Sequence, residues 1–120
     1  MHELSVCRSI IEQVEAVAAE RGGRVRNVRV QVGPLSGVEP RLLERAFPLA
    51  REGSVAADAE LTVETVPIRV HCVACGEDSD AAMNDLRCRH CGRWRTCLVS
   101  GDELILSAVE MADEAVPDVS

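Results

Sequence analysis

The pair of motifs Cys72-Val73-Ala74-Cys75-Gly76 and Cys88-Arg89-His90-Cys91-Gly92 constrains this chain more than any other feature. Two C-x2-C pairs stand twelve residues apart. Each pair can reach one ion from a tight turn. The glycine after each second cysteine permits the positive φ that aims backbone N–H groups at the sulfurs. Four thiolates around a d10 cation form a closed tetrahedral site, and zinc is the expected occupant. Iron in a similar cage needs only a different metal supply. A thiol redox role fits poorly, because it does not account for two neighbouring pairs with matching glycines.

The rest of the composition shows why such a staple is needed. A chain of 120 residues supports one small domain, or one domain with an insert. Hydrophobic residues make up 47%, enough for a core. Only Phe47 and Trp94 are aromatic, so that core is thin, and chains of this size often carry a cross-link. No apolar run is long enough to span a bilayer. The start, Met1-His2-Glu3-Leu4, has neither a basic n-region nor an apolar h-region, so no signal peptide is expected. The expected location is the cytoplasm, where clustered cysteines more often bind metal than pair as disulfides.

The formal net charge of −7 and the pI near 4.9 argue against a nonspecific nucleic-acid binder, which needs a basic face. The charge is uneven. Residues 1–68 carry 8 Arg and 10 acids, residues 69–95 carry 5 Arg and 4 acids, and residues 96–120 carry 6 acids and no base. The acidic tail reads as a solvated surface. Four thiolates on one divalent ion would add −2 and leave the cysteine block slightly negative, the wrong balance for a nucleic-acid ribbon.

Periodicity supplies the framework. Leu4, Cys7, Ile10, Ile11, Val14, Val17 and Ala18 follow helical spacing, which predicts an amphipathic helix over 4–20 ended by Gly22-Gly23. Val28, Val30 and Val32 alternate with polar residues, which predicts a half-buried strand over 26–32. Pro40 suits the first turn of a second helix with Leu42, Leu43, Ala46, Phe47 and Ala50 on its apolar face. Pro48 predicts a kink or an early end near 44–48. A second strand is expected over 61–66 and a third over 103–111. The cysteine block thus reads as an insert between two strands of one sheet.

Other residues invite chemistry with less support. Cys7 lies on the apolar face of the first helix and reads as a packed side chain. Cys97 has no partner spacing and reads as a spare thiol. His2 is ordinarily a solvated terminal residue. Beside a free α-amine, however, its imidazole and amide nitrogen can close fused chelate rings around Ni(II) or Cu(II). No nucleophile–base–orienter set and no phosphate loop is visible, so no enzyme activity is expected.

Taken together, Met1-His2-Glu3-Leu4-Ser5, Val28-x-Val30-x-Val32-Gly33-x-Leu35-Ser36-x-Val38, Ala46-Phe47, Leu61 to Pro67, the four cysteines and Gly101-x-Glu103-Leu104 resemble the HypA/HybF family of nickel metallochaperones in [NiFe]-hydrogenase maturation. The likeness covers about residues 1–111. It implies an α+β fold: a small nickel-binding domain of two helices and a three-stranded sheet (1–67 plus 99–111), an inserted four-cysteine zinc ribbon (68–98) and a flexible acidic tail (112–120). It implies Ni(II) as cargo at His2, with the Met1 amine and Glu3, and structural Zn(II) on Cys72, Cys75, Cys88 and Cys91. It also implies the GTPase HypB and the hydrogenase large-subunit precursor as partners, with neither nucleic acid nor membrane. A homodimer through an exposed strand edge is compatible with this reading. Glu39 falls where an acidic residue assists nickel in some relatives, and His71 and His90 flank zinc cysteines as tuning or surface residues. Arg89 stands where the family commonly has Pro. The competing reading is a zinc-ribbon adaptor that binds protein and carries no nickel.

Overall fold

A computed structural model describes residues 3–112. Helix α1 spans Glu3–Arg21 and buries Val6, Cys7, Ile10, Ile11, Val14 and Ala18 along one stripe. It stops where the periodicity stops: Gly22 takes φ 75, and its N–H donates to the Ala18 carbonyl at 2.6 Å. Strand β1 (Val25–Val32) follows, with Val25, Val28, Val30 and Val32 buried. A short 3-10 turn over Pro34–Ser36 leads to helix α2 (Pro40–Ala50).

Helix α2 departs from expectation at Pro48. The early end does not occur, and the helix continues through the proline to Ala50. Pro48 lies in the last turn, so it removes one hydrogen bond near an end that already lacks several. The turn is closed beyond it by the Arg51 N–H, which donates to the Phe47 carbonyl at 2.9 Å. Leu43 and Phe47, on the same face, are both buried. At the other end Glu39 is the N-cap, its carboxylate accepting from the Arg41 N–H at 3.1 Å.

Strands β2 (Glu60–Thr65), β3 (Arg69–Cys72), β4 (Asp78–Asp80), β5 (Thr96–Ser100) and β6 (Leu104–Met111) complete the chain. They form two sheets, one in the order β2-β1-β6 and one in the order β4-β3-β5. The first holds the three strands expected from alternation. The second lies wholly within the cysteine block, where the apolar pattern predicts no strand.

Backbone packing separates two compact units. One comprises the residues up to Val30, Glu39–Val63 and those from Leu106 onward; the other comprises Gln31–Val38 and Glu64–Ile105. In the first, α1 packs on α2 and the Cys7 thiol donates to the Leu43 carbonyl at 3.4 Å. In the second, Gly33 and Gly101 meet. The Leu35 N–H donates to the Gly101 carbonyl at 2.7 Å and the Gly33 N–H to the Glu103 carbonyl at 2.9 Å. A Cβ at Gly33 would collide with the Gly101 backbone, and Gly101 itself needs φ 121 against Ile68. Both glycines are therefore required by close approach.

Candidate metal centre

The second unit builds one four-sulfur site from two copies of the same turn. Cys72 ends β3, and the Cys72 N–H donates to the Glu77 carbonyl while the Gly76 N–H donates to the Cys72 carbonyl at 2.8 Å. The second turn repeats this arrangement, from Cys88 N–H to the Arg93 carbonyl and from Gly92 N–H to the Cys88 carbonyl at 2.8 Å. Gly76 and Gly92 take φ 79 and φ 76, the left-handed conformation that lets each turn close. The freed N–H groups aim at sulfur: Cys75 N–H at Cys72 Sγ (3.4 Å) and His90 N–H at Cys88 Sγ (3.3 Å).

The four Sγ atoms lie within 4.8 Å of one another. Cys72–Cys91 and Cys75–Cys88 are each 3.6 Å apart. A disulfide would bring sulfurs to about 2 Å, so these are free thiols. A tetrahedron with Zn–S bonds of about 2.3 Å has edges of about 3.8 Å, so the cluster has the size of a zinc cage. Cys72 and Cys88 are buried, whereas Cys75 and Cys91 are exposed. Four ligands of one kind leave no open position, which is the geometry of a structural site rather than a catalytic one.

The thiols respond to this crowding. Cys72 is held below the ordinary thiol value, chiefly by the Cys75 N–H. Cys88 is lowered to about 6, chiefly by the Cys91 N–H and then, against burial, by the His90 N–H. Cys75 has the Glu77 N–H in favour of its thiolate, but desolvation and hydrogen bonds with the other three sulfurs push it up to about 12. Cys91 is raised as well: the Arg93 N–H favours its thiolate, but desolvation and the Cys72 and Cys88 sulfurs outweigh it. Four adjacent thiols cannot all ionise alone, and a bound divalent cation reverses that balance.

The histidines are engaged elsewhere. His71 Nδ1 donates to the Asp78 carboxylate at 2.6 Å, and His90 Nε2 donates to the Asp78 carbonyl at 3.3 Å. Asp78 therefore steadies both rings beside the cluster, a role that its place in the sequence does not suggest. Ser79 is buried, and its hydroxyl accepts from the Arg89 N–H at 3.2 Å, tying β4 to the second cysteine turn. Arg89, where a proline is common in relatives, uses that N–H and so replaces rigidity with a hydrogen bond. Cys97 is exposed and outside the cluster, and Cys7 is buried in the other unit. Glu39 acts as a helix cap, and Glu3 opens α1. Met1 and His2 lie outside the described residues.

The match to known proteins spans nearly the whole chain. The family model for HypA, described as hydrogenase/urease nickel incorporation and metallochaperone, matches residues 1–111.

The chain belongs to the HypA family.

A hydrogenase maturation factor HypA of Nitrosospira multiformis is 44% identical over 112 residues, covering 92% of this chain and 97% of that protein. The corresponding protein of Aquifex aeolicus is 38% identical with the same coverage. Among solved structures, the solution structure of the nickel metallochaperone HypA from Helicobacter pylori superposes with a TM-score of 0.68 at 29% identity, covering 92% of this chain and 97% of that one. A second HypA solution structure gives 0.72 at 29% identity, covering 95% and 98%. The α+β architecture with a four-cysteine cluster is thus that of the HypA family, whose role is nickel incorporation in hydrogenase maturation. Among the described residues, no helix is long and apolar enough to cross a membrane.

Proposed function

We propose that this HypA-family chain carries Ni(II) at its N-terminus and delivers it to the hydrogenase large-subunit precursor, working with the GTPase HypB in the cytoplasm. His2 and the Met1 amine are the ligands, with Glu3 adjacent. The observation that carries the reading is that the family match begins at residue 1 and takes in Met1-His2-Glu3. The amine, the amide nitrogen of residue 2 and the imidazole form fused chelate rings that suit Ni(II). A site at a chain end keeps one side accessible to an acceptor. Micromolar affinity corresponds to about −8 kcal/mol, which a stronger acceptor site can overcome.

In the same reading, residues 1–67 with 99–111 form the nickel-binding part, residues 68–98 form the ribbon, and residues 112–120 form an acidic tail. Cys72, Cys75, Cys88 and Cys91 hold one zinc ion. When bound, zinc supplies a closed cross-link between the two cysteine turns. The chain's own groups do the remaining work: the Cys75 and His90 N–H groups orient and stabilise sulfur, and Asp78 holds His71 and His90 off the cluster. The protein binds and transfers a metal and catalyses no reaction of its own.

Calorimetric titration of Ni(II) into the zinc-loaded protein with an unmodified N-terminus tests this. His2→Ala and a chain with residues added before Met1 should both lose the tight site. Equal affinity in all three would overturn the terminal chelate and leave the zinc-ribbon adaptor as the better reading.

A further inference from the structure

The sheet β4-β3-β5 has two unlike edges. Strand β4 reads Asp78-Ser79-Asp80, follows Glu77, and so carries charges that discourage another strand from joining. Strand β5 reads Thr96-Cys97-Leu98-Val99-Ser100, with no charge at all. One side of β5 pairs antiparallel with β3, Leu98 opposite Val70, Cys97 opposite His71 and Thr96 opposite Cys72. Its other side ends the sheet among the described residues. Cys97, Leu98 and Val99 are all exposed, Leu98 at 41% and Val99 at 52%.

The two ends of this bare edge carry opposite charge. Before it come Arg93, Trp94 and Arg95, all exposed, with Trp94 at 68%. The ring of Trp94 lies under the Arg87 guanidinium, 5.4 Å from the centroid, and Arg87 is itself anchored by two hydrogen bonds of 2.9 Å to the Asp85 carboxylate. After β5 come Gly101, Asp102 and Glu103. The Glu103 carboxylate accepts from the Gly101 N–H at 2.8 Å, and Asp102 is exposed. From Leu86 to Gly101 there are four arginines and no acid, in a chain of net charge −7.

A strand that is basic and aromatic at one end, apolar in the middle and acidic at the other is complementary to its own reverse. We propose that β5 is a homodimer interface, in which two copies pair their β5 strands antiparallel about a two-fold axis near Leu98 to make a continuous six-stranded sheet. The axis places the Arg93–Arg95 end of each copy beside the Asp102 end of the other, and it sets Leu98 against Leu98 of the second copy. Such an isologous contact uses the same patch twice and closes on itself. A parallel pairing would set arginine against arginine and is disfavoured by like charge. Cys97 and its symmetry mate become diagonal neighbours on one face, about 7–8 Å apart.

Sedimentation velocity of the zinc-loaded full chain over a range of concentrations reads the association directly. The expected result is a monomer–dimer equilibrium that weakens with salt. Reversing both arginines (R93E with R95E) should raise the dissociation constant by about tenfold or more. Adding D102R to that variant reverses both ends and should restore the dimer. Zinc content, unchanged across the set, shows that each variant is folded. Independently, a short bismaleimide should link two wild-type chains through Cys97, and the Cys97→Ser chain should give no such product. A chain that stays monomeric throughout overturns the proposal. So does a dimer that Cys97 cannot cross-link, or one that D102R fails to restore. Preferential capture of β5 by an unrelated acidic peptide, with no self-association, would likewise assign the edge to a different partner and overturn it. None of these outcomes bears on nickel binding at His2.

Discussion

The sheets β2-β1-β6 and β4-β3-β5 have three strands each, but different side chains lie beneath them. In the unit that holds the two helices, Val14, Val28, Val30, Leu43 and Phe47 are almost completely buried, and Phe47 is the largest side chain in that core. In the cysteine unit the fully buried side chains are few, and Cys72 and Cys88 are among them beside Val32 and Val70. One region is held by packed hydrocarbon. The other is built around four sulfurs and has little else to bury. The comparison teaches that the two halves of one short chain should fail under different insults.

Losing zinc tests the second half and should have the largest effect. Structural zinc contributes about 10–16 kcal/mol of apparent binding free energy in small domains. Replacing Cys72 with Ser, or stripping the metal with a chelator, should unfold residues 69–100 while leaving the helical circular dichroism, since α1 and α2 both lie in the other unit. Metal analysis should fall from about one zinc per chain to well below it. A Cys72→Ser chain that keeps tight zinc and dispersed amide signals over 69–100 would show that the sulfurs are not the staple.

Phe47→Ala is the reciprocal test. Truncating a buried Phe leaves a cavity and costs about 3–5 kcal/mol, a large part of the stability of a small domain. The thermal transition of the helical unit should drop sharply, with zinc content unchanged. If zinc is lost in parallel, the two regions share one cooperative transition and the contrast between them does not extend to unfolding.

The same contrast explains what the sequence revealed. Both helices, β1, β2 and β6 are visible as periodicity, because each buries one face: Ile10, Val14 and Ala18 at helical spacing, Val28, Val30 and Val32 at strand spacing. The four zinc cysteines are visible because metal geometry fixes their spacing. Strands β3, β4 and β5 are not visible. Asp78-Ser79-Asp80 contains no apolar residue, and its pairing to β3 is set by the cysteine turn and by the Ser79 hydroxyl rather than by a hydrophobic face. Pro48 misleads for a related reason. A local rule predicts a break, but near a helix end only one hydrogen bond is at stake, and the burial of Leu43 and Phe47 outweighs it.

The two cysteines outside the cluster give the smallest effect and place the contrast on a single residue type. Cys7 is buried against the Leu43 carbonyl, and burial, with the Glu3 carboxylate adding to it, pushes its thiol up to about 11. Cys97 is exposed on β5. At pH 8 iodoacetamide should therefore modify Cys97 and spare both Cys7 and the zinc-bound thiols. The raised value also has a stability consequence. In the unfolded chain Cys7 loses its proton near 9, whereas in the folded chain it keeps it until about 11. The folded state therefore binds more protons between these values, so the contribution is intact below pH 9 and is lost as pH rises toward 11. A Cys7→Ala chain lacks this group, and its melting temperature should fall less steeply over the same interval. Equal slopes for the two chains would mean that the Cys7 thiol is not held in the apolar setting that the helix pair gives it.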